Sequence, residues 1–263
     1  MKIMYVAELV GKTGVYVLKK SINELKKRFP WDFLIVCADG ATGGTGLGRS
    51  HGAYIQKLGA NVITLGECCF YKKDLTENIE KTPYILRPYN LNPDAPGIGY
   101  KIFKTSTGEK IAVAALLGQN GFNRIHANSP FTALSTLMEQ IKKQTPFFII
   151  DFHAQASAEK KTFFHAADGF VTAVIGSHTR VQTSDNSIMP KGTAVISDAG
   201  RTGSQQSVGG CDINSRIKEY LTGVPDWTKE AWDDLQLQGV YLDIGSDGKA
   251  KSIERVRFSI TLD

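Results

Sequence analysis

The first third of the chain alternates short apolar runs with amphipathic segments. The runs Ile3–Ala7, Phe33–Cys37 and Asn61–Leu65 are almost continuously apolar, which is typical of strands buried on both faces of a sheet. The segments Val15–Arg28 and Ser50–Leu58 place apolar residues at helical spacing. This alternation predicts a sheet that is covered by helices.

The rest of the chain repeats these signals and adds two hairpins. The predicted elements are a hairpin of Tyr100–Lys104 and Lys110–Ala115, a helix at Ala133–Lys143, strands at Phe147–Asp151, Val171–Ile175 and Thr193–Ser197, and a last hairpin of Val240–Ile244 and Ser252–Ser259. Gly11–Gly14 indicates a turn ahead of the first helix. No segment rich in Pro, Gly or Ser divides the chain, so we expect residues 1–263 to form a single α/β domain.

The composition restricts the class of protein. Hydrophobic residues make up 42% of the 263 residues, which is enough for a full core, and the net charge of +5 is only mildly basic. The basic residues near the N-terminus are expected to lie on a solvated helix face, because no aromatic residues are interleaved with them: Lys19, Lys20, Lys26, Lys27 and Arg28. We therefore do not expect a nucleic-acid partner.

The chain carries no pattern of a secreted or membrane protein. The apolar run at the N-terminus is too short for a signal peptide, and no run is long enough to span a membrane. The four cysteines, which include the neighbours Cys68 and Cys69, do not have the spacing of a disulfide framework or a zinc ribbon. We expect a cytoplasmic protein with no membrane partner.

Polar residues of a particular kind stand where the predicted strands end. The carboxyl ends of strands in an open α/β sheet are where ligands bind. Carboxylates and imidazoles at such positions are suitable ligands for manganese, iron or zinc. Each residue alone also has an ordinary explanation as a helix cap or a hydrogen-bonded polar group, but the pattern recurs at five strand ends. The residues are Glu8, Asp39, Glu67, His153, His178 and Arg180.

Several motifs resemble one family. They are Asp151–Lys160, Gly176–Thr183, Pro190–Ala194, Asp198–Gly200 and the pair Arg87-Pro88. With these motifs the chain resembles the YmdB-like branch of the calcineurin-like metallophosphoesterases over nearly its whole length. The resemblance implies a four-layer α/β/β/α sandwich that binds two transition-metal ions and hydrolyses phosphodiesters, including cyclic nucleotides. It also implies that self-association is to be expected.

The chain departs from the family at six of eight expected site positions, of which His153 and His178 are unchanged. The family has Asp at Glu8, Glu at Asp39, Asn at Gly40, Asn at Glu67, His at Cys68 and His at Arg180. By the resemblance, one ion is held by Asp39, Glu67, His153 and His178, and Glu8 faces the position of the other.

By the resemblance, the position of the second ion is occupied by the positively charged side chain of Arg180. Arginine is always charged and is not a ligand, so Arg180 would pair with Glu8 or Asp39 in place of that ion. We therefore expect at most one divalent metal ion (manganese, iron or zinc), or none.

These departures leave two functional hypotheses. Cys68 replaces the histidine best suited to proton transfer and is expected to fill space rather than to act as a nucleophile. The favoured hypothesis is therefore an inactive protein that serves in assembly, scaffolding or ligand sensing, as a homo-oligomer or with a protein partner, and that binds a phosphate-containing small ligand. The alternative is a one-metal phosphodiesterase in which Arg180 binds phosphate, because arginine suits phosphate recognition.

Overall fold

The computed structural model describes residues 1–226 and 229–261. In chain order, the strands are β1 Lys2–Val6, β2 Glu8–Leu9, β3 Phe33–Cys37, β4 Val62–Thr64, β5 Ile85–Leu86, β6 Tyr100–Lys104, β7 Lys110–Leu117, β8 Phe148–His153, β9 Ala173–Ser177, β10 Ser187–Ile188, β11 Ala194–Ile196, β12 Arg201–Ser204, β13 Leu235–Ile244 and β14 Ala250–Ile260. The α-helices are α1 Gly11–Arg28, α2 Arg49–Lys57, α3 Lys73–Thr76, α4 Pro130–Ile141, α5 Ser157–Ala167 and α6 Ile213–Thr222, and a 3₁₀ turn covers Ile79–Lys81.

The strands of the described residues form two sheets. The first has the order β2-β12-β13-β1-β3-β4-β5, with β14 also paired to β13, and the second has the order β10-β11-β9-β8-β7-β6. Strands β1, β3, β4 and β5 are parallel to one another, as are β7, β8, β9 and β11. Parallel strands put all their carboxyl ends at one edge, so each sheet gathers the residues that follow its central strands.

Three apolar cores hold the layers together, and β1 shows how. Ile3 and Tyr5 point into the core between the two sheets, where they meet side chains such as Ile149 of β8. Met4 and Val6 point the other way, into the core under α1 and α2. A third core lies between the second sheet and helices α4 and α5. Because successive side chains of a strand face opposite ways, a continuous apolar run serves two cores, and the predicted four-layer α/β/β/α sandwich is confirmed.

Some predicted boundaries were wrong. The first helix begins at Gly11 rather than after a turn, because the glycines there serve packing: a Cβ on Gly14 would lie 2.6 Å from the carbonyl oxygen of Thr202. The strand predicted at residues 171–175 lies two residues later in β9. Helices α5 and α6 were not predicted. In the described ranges, no helix has both the length and the apolar character of a membrane span.

Candidate functional site

The six predicted site residues lie at the carboxyl edge of the sheets, in two halves that interact electrostatically. One half contains Asp39, Glu67, His153 and His178, which contact one another through their side chains. The other half is the ion pair of Arg180 with Glu8. The loop that follows β9 carries both His178 and Arg180 at positive φ, 99° and 61°. Such backbone is disfavoured for residues other than glycine and is concentrated at functional sites.

In the first half, donor atoms of three side chains converge. One ligand atom each from Glu67, His153 and His178 lies within 4.8 Å of the others. Nε2 of His153 is 3.1 Å from Nδ1 of His178, and Oε1 of Glu67 is 3.3 Å from that same Nδ1. The other oxygen of Glu67, Oε2, contacts Nε2 of His153. This oxygen is buried and forms no hydrogen bond.

This arrangement fits a divalent metal ion. Two imidazole nitrogens that bind one ion at about 2.1 Å lie roughly 3.0–3.4 Å apart, and the observed 3.1 Å separation falls within that range. A proton shared between the two nitrogens gives the same distance, and a metal ion can take its place. A cation would likewise compensate Oε2 of Glu67, which is balanced by the imidazolium of His153 when no ion is bound. The donor set of nitrogen and oxygen suits manganese, iron or zinc.

The carboxylate of Asp39 is held next to this cluster. It accepts hydrogen bonds from the backbone N–H groups of Gly66 (2.7 Å) and Cys68 (3.0 Å), and its Oδ2 is 3.8 Å from Nε2 of His153. Gly66 is required here, because a Cβ would lie 2.4 Å from the ring of His153. Burial and the charge of Glu67 raise the pKa of Asp39 to about 8, and a cation beside this carboxylate would favour its ionised form.

Glu67 and His153 form a charge pair in the first half of the site. Burial would lower the pKa of His153, but the charge of Glu67 outweighs it and raises that pKa to about 10. Burial would likewise raise the pKa of Glu67, and the charge of His153 lowers it instead. A bound cation would take over the role of the imidazolium proton, and its binding would release that proton.

A buried chain of hydrogen bonds fixes the orientation of His153. Its Nδ1 is 3.0 Å from Oγ of Ser177, and that hydroxyl donates to Oδ1 of Asp151 at 2.6 Å. Tyr5 and Thr64 donate to the other oxygen of Asp151. Because the single proton of Ser177 goes to Asp151, Nδ1 of His153 must donate to Ser177. The neutral ring then presents the lone pair of Nε2 to the cluster, as a metal ligand must.

The loop after β9 is anchored from behind. Oδ2 of Asp198 accepts hydrogen bonds from N–H (2.8 Å) and Oγ1 (2.7 Å) of Thr179, the residue between His178 and Arg180. Lys160 of α5 donates to the same oxygen at 3.2 Å and to the carbonyl oxygen of Ser177 at 2.9 Å. Lys160 and Asp198 are both buried. This buried ion pair therefore holds the backbone on which His178 is placed.

The second half of the site is built around Arg180. Its Nε and Nη2 donate to Oε1 of Glu8 at 3.0 and 2.6 Å. Its Nη2 and Nη1 also donate to the carbonyl oxygens of Gly44 (2.9 Å) and Gly209 (3.1 Å). Gly40 makes room for the pair, since a Cβ there would lie 2.7 Å from Oε1 of Glu8. No described ion pair joins Arg180 to Asp39, whose oxygens are taken by backbone amides.

Cys68 lies between the two halves and is a poor nucleophile. It is 5% exposed. Burial and the charges of Asp39, Glu67 and Glu8 raise the pKa of its thiol. The charges of these three carboxylates outweigh that of Arg180, so in the absence of a metal ion Cys68 is held as a thiol. A nucleophilic role, which requires the thiolate, is not supported by this environment.

Two cavities flank the loop of residues 40–46, and Thr45 lines both. The cavity beside Glu67, of about 340 Å³, is also lined by Tyr71, Lys72 and Arg124. The other, of about 410 Å³, opens at Arg180. A larger cavity of about 730 Å³ at Arg87 is lined by none of the six site residues, and Arg87 donates hydrogen bonds to loop carbonyls such as that of Pro88.

Sequence analysis missed several residues of this site. The ring of Phe122 stacks on His153 at 6.1 Å and meets His178 edge-on at 5.0 Å between centroids. The guanidinium of Arg124 lies 5.0 Å from the ring centroid of Tyr71. Phe122 and Arg124 belong to an irregular segment with no strand end to mark it. Ser177, at the end of β9, could have been found by the same rule that found His178.

Comparisons with known proteins agree with this geometry. The family model described as "YmdB-like protein" matches residues 4–256. A Bacillus subtilis (strain 168) protein named 2',3'-cyclic-nucleotide 2'-phosphodiesterase is 35% identical over 97% of this chain and 96% of its own.

Solved structures show the same similarity. The crystal structure of a novel phosphatase from Mycoplasma pneumoniae has a TM-score of 0.91 and 29% identity, covering 98% of this chain and 93% of that one. A hypothetical protein from Thermus thermophilus has a TM-score of 0.90 and 25% identity over 98% and 99% of the two chains.

The hypothesis of an inactive scaffold or sensing protein is wrong in the light of these findings. Relatives that match nearly the whole chain are named as a phosphodiesterase and a phosphatase. The residues Glu67, His153 and His178 retain a cluster that can hold a metal ion. The error arose from counting the replaced ligands one by one, whereas the side chains that replace them still bring donor atoms together. The chain belongs to the family of YmdB-like proteins, whose relatives named above include a phosphodiesterase and a phosphatase.

Proposed function

We propose that this chain is a metal-dependent phosphodiesterase that works with one divalent transition-metal ion. Asp39, Glu67, His153 and His178 hold the ion. The observation that carries the proposal is the convergence of donor atoms from Glu67, His153 and His178 within 4.8 Å. When bound, such an ion polarises the phosphoryl oxygen and lowers the pKa of a water molecule.

Arg180 supplies a fixed positive charge on the other side of the site. Four of the five N–H groups of its guanidinium are engaged by Glu8, Gly44 and Gly209, which leaves one Nη1–H for a phosphate oxygen. Its side chain is 22% exposed, so the guanidinium can be reached from the cavity at residues 43–45. Glu8 is therefore a positioning residue for Arg180, and its Oε1 is not available to the ion.

The substrate enters beside Glu67. The cavity there is lined by the cations Lys72 and Arg124 and by the aromatic ring of Tyr71. Lysine and arginine bind phosphate, and an aromatic face stacks on a base or another planar group. These features, together with the name of the Bacillus subtilis relative, support cyclic nucleotides or related phosphodiesters as the substrate class.

Turnover of bis-p-nitrophenyl phosphate and of 2',3'-cyclic nucleotides tests the proposal. Metal-stripped protein is assayed after addition of manganese, iron(II) or zinc. Metal-dependent turnover is expected, and His178→Ala is expected to abolish it. His165→Ala is the matched control, because His165 is exposed on α5. The absence of turnover with every metal, or equal turnover by His178→Ala, would contradict the proposal.

A further inference from the structure

Cys68 belongs to a second group of donor atoms that overlaps the first. One ligand atom each from Asp39, Glu67 and Cys68 lies within 4.8 Å of the others, and Glu67 is shared with the group that contains His153 and His178. The backbone N–H of Cys68 donates to Oδ2 of Asp39 at 3.0 Å. This hydrogen bond fixes the turn after β4, so that the side chains of residues 67 and 68 both lie at the carboxylate of Asp39.

We infer that Cys68 is a thiolate ligand of the metal ion and that the site is built for a thiophilic divalent metal such as zinc, iron(II) or cobalt. The inference rests on the metal centre of the proposed function. Coordination replaces the S–H bond by a sulfur–metal bond, and the thiol proton is released to solvent. The ion is then bound by one sulfur and by the carboxylate oxygens of Asp39 and Glu67, and Glu67 links this group to His153 and His178.

The surroundings of the three buried cysteines distinguish a ligand from a space-filling side chain. A cysteine that only fills space behaves as a small apolar residue and packs with other apolar side chains. Cys37 and Cys69 do this, in the core between the sheets and in the core under α1 and α2. Cys68 is also buried, but it belongs to none of the three apolar cores formed by the described residues.

The carboxylates beside Cys68 would be compensated by a metal ion. Oε2 of Glu67 is buried without a hydrogen bond and contacts Nε2 of His153, so a neutral His153 leaves this oxygen without a compensating charge. Cys68 is one residue further along the chain. A sulfhydryl among carboxylates is a weak donor and cannot satisfy them all. A cation bound by the sulfur and both carboxylates would compensate their charges.

The sulfur changes which metal the site prefers. Thiolate is a soft ligand that favours zinc, iron and cobalt, whereas sites of oxygen donors suit manganese and magnesium. A cysteine in the shell therefore shifts selectivity away from manganese. The family has a histidine, a proton-transfer group, at residue 68. On this account, the cysteine that stands there in this chain is a metal ligand instead.

Cobalt spectroscopy of the full-length protein tests the inference. The chelator-stripped protein is titrated with Co²⁺ alone, and a thiolate-to-cobalt charge-transfer band is expected in the near ultraviolet. Cys68→Ser is expected to lose the band and to bind Zn²⁺ at least ~100-fold more weakly, because even the loss of an outer-shell partner costs about 10–100-fold. Cys69→Ser, which alters the adjacent buried cysteine, is the matched control and is expected to keep the band.

Zinc X-ray absorption on the unaltered protein provides a measurement that needs no variant. A sulfur neighbour at about 2.3 Å from zinc is expected, and only nitrogen and oxygen neighbours would overturn the inference if Cys68→Ser fails to fold. Co²⁺ that binds without a charge-transfer band would overturn the assignment of Cys68 and leave the metal centre intact. Protein that binds neither Co²⁺ nor Zn²⁺ would overturn both the assignment and the proposed function.

Discussion

Gly40 lies against Arg180 so closely that a Cβ on residue 40 would be 2.8 Å from Nη2 of the guanidinium. The same Cβ would be 2.7 Å from Oε1 of Glu8. A side chain at residue 40 would therefore crowd both members of the ion pair between Glu8 and Arg180. Residues 8, 40 and 180 form one coupled unit of the structure.

This relationship predicts a specific pattern in a double-mutant cycle. Gly40→Ala is expected to destabilise the protein by about 1–3 kcal/mol, because the added methyl group overpacks the site. In an Arg180→Ala background the same change should cost less, since Glu8 can then move away. The free energy of unfolding in urea measures both values. Equal costs in the two backgrounds would show that the residues are not coupled.

Ser177 is expected to control metal affinity without binding the metal. Ser177→Ala removes the acceptor of the Nδ1 proton of His153, so the ring is no longer held with Nε2 towards the cluster. The loss in affinity for zinc should be about 10–100-fold, measured by titration with a competing chelator.

Thr64→Val is the matched control for Ser177→Ala. Thr64 also donates to Asp151 but does not contact His153. The control variant should lose stability while it retains zinc affinity. A similar loss of zinc affinity in both variants would mean that the affinity depends on Asp151 rather than on the orientation of His153.

Arg124 is expected to bind substrate rather than to stabilise the fold. Arg124→Ala should raise KM for bis-p-nitrophenyl phosphate by about 10-fold or more, because a charge-assisted hydrogen bond is worth about 1.5–3 kcal/mol, and should leave kcat nearly unchanged. Arg49→Ala is the control, since Arg49 is exposed and does not line the cavity beside Glu67. A fall in kcat with unchanged KM would argue against a binding role.

Asp185 is expected to contribute to the free energy of unfolding in a way that depends on pH. Burial would raise the pKa of its carboxyl group, but the hydrogen bonds from Lys161 and Ser197 lower it below the usual range. The folded state therefore binds this proton less readily than the unfolded state. The stabilisation is present above the unfolded pKa and is lost as the pH falls through the folded pKa.

Urea unfolding of Asp185→Asn measures this contribution. The variant should be less stable by about 1 kcal/mol at neutral pH, a small value because solvent reaches the carboxyl group and screens its interactions. The difference should shrink in acid, where the carboxyl group of the unaltered protein is protonated. A difference that is independent of pH would exclude the ionised form of Asp185 as its cause.

The sequence predicted the parts of the site that depend on strands. Glu8, Asp39, Glu67, His153 and His178 each follow a buried apolar run, and parallel strands bring their ends to one edge. The run before His178 was placed two residues early, yet the rule still selected the residue. The family resemblance supplied the expected roles, which periodicity alone does not contain.

The sequence did not predict the contacts made between distant parts of the chain. Phe122 reaches His153 and His178 from an irregular segment, and no local periodicity marks such a residue. The role of Gly40 depends on Arg180, which lies far along the chain. A single replaced residue therefore suggests a lost function as long as its spatial neighbours are unknown. The hypothesis of an inactive protein arose in this way.

The ion pair of Lys160 with Asp198 anchors the backbone between Ser177 and Thr179, although neither residue belongs to the cluster of Asp39, Glu67, His153 and His178. Genetic screens for loss of activity should consequently recover substitutions at residues 160 and 198 as readily as at the ligands themselves. A survey that ranks positions by their distance from the reacting atoms would count these substitutions as unimportant for activity. Residues needed for activity therefore extend into α5, behind the second sheet.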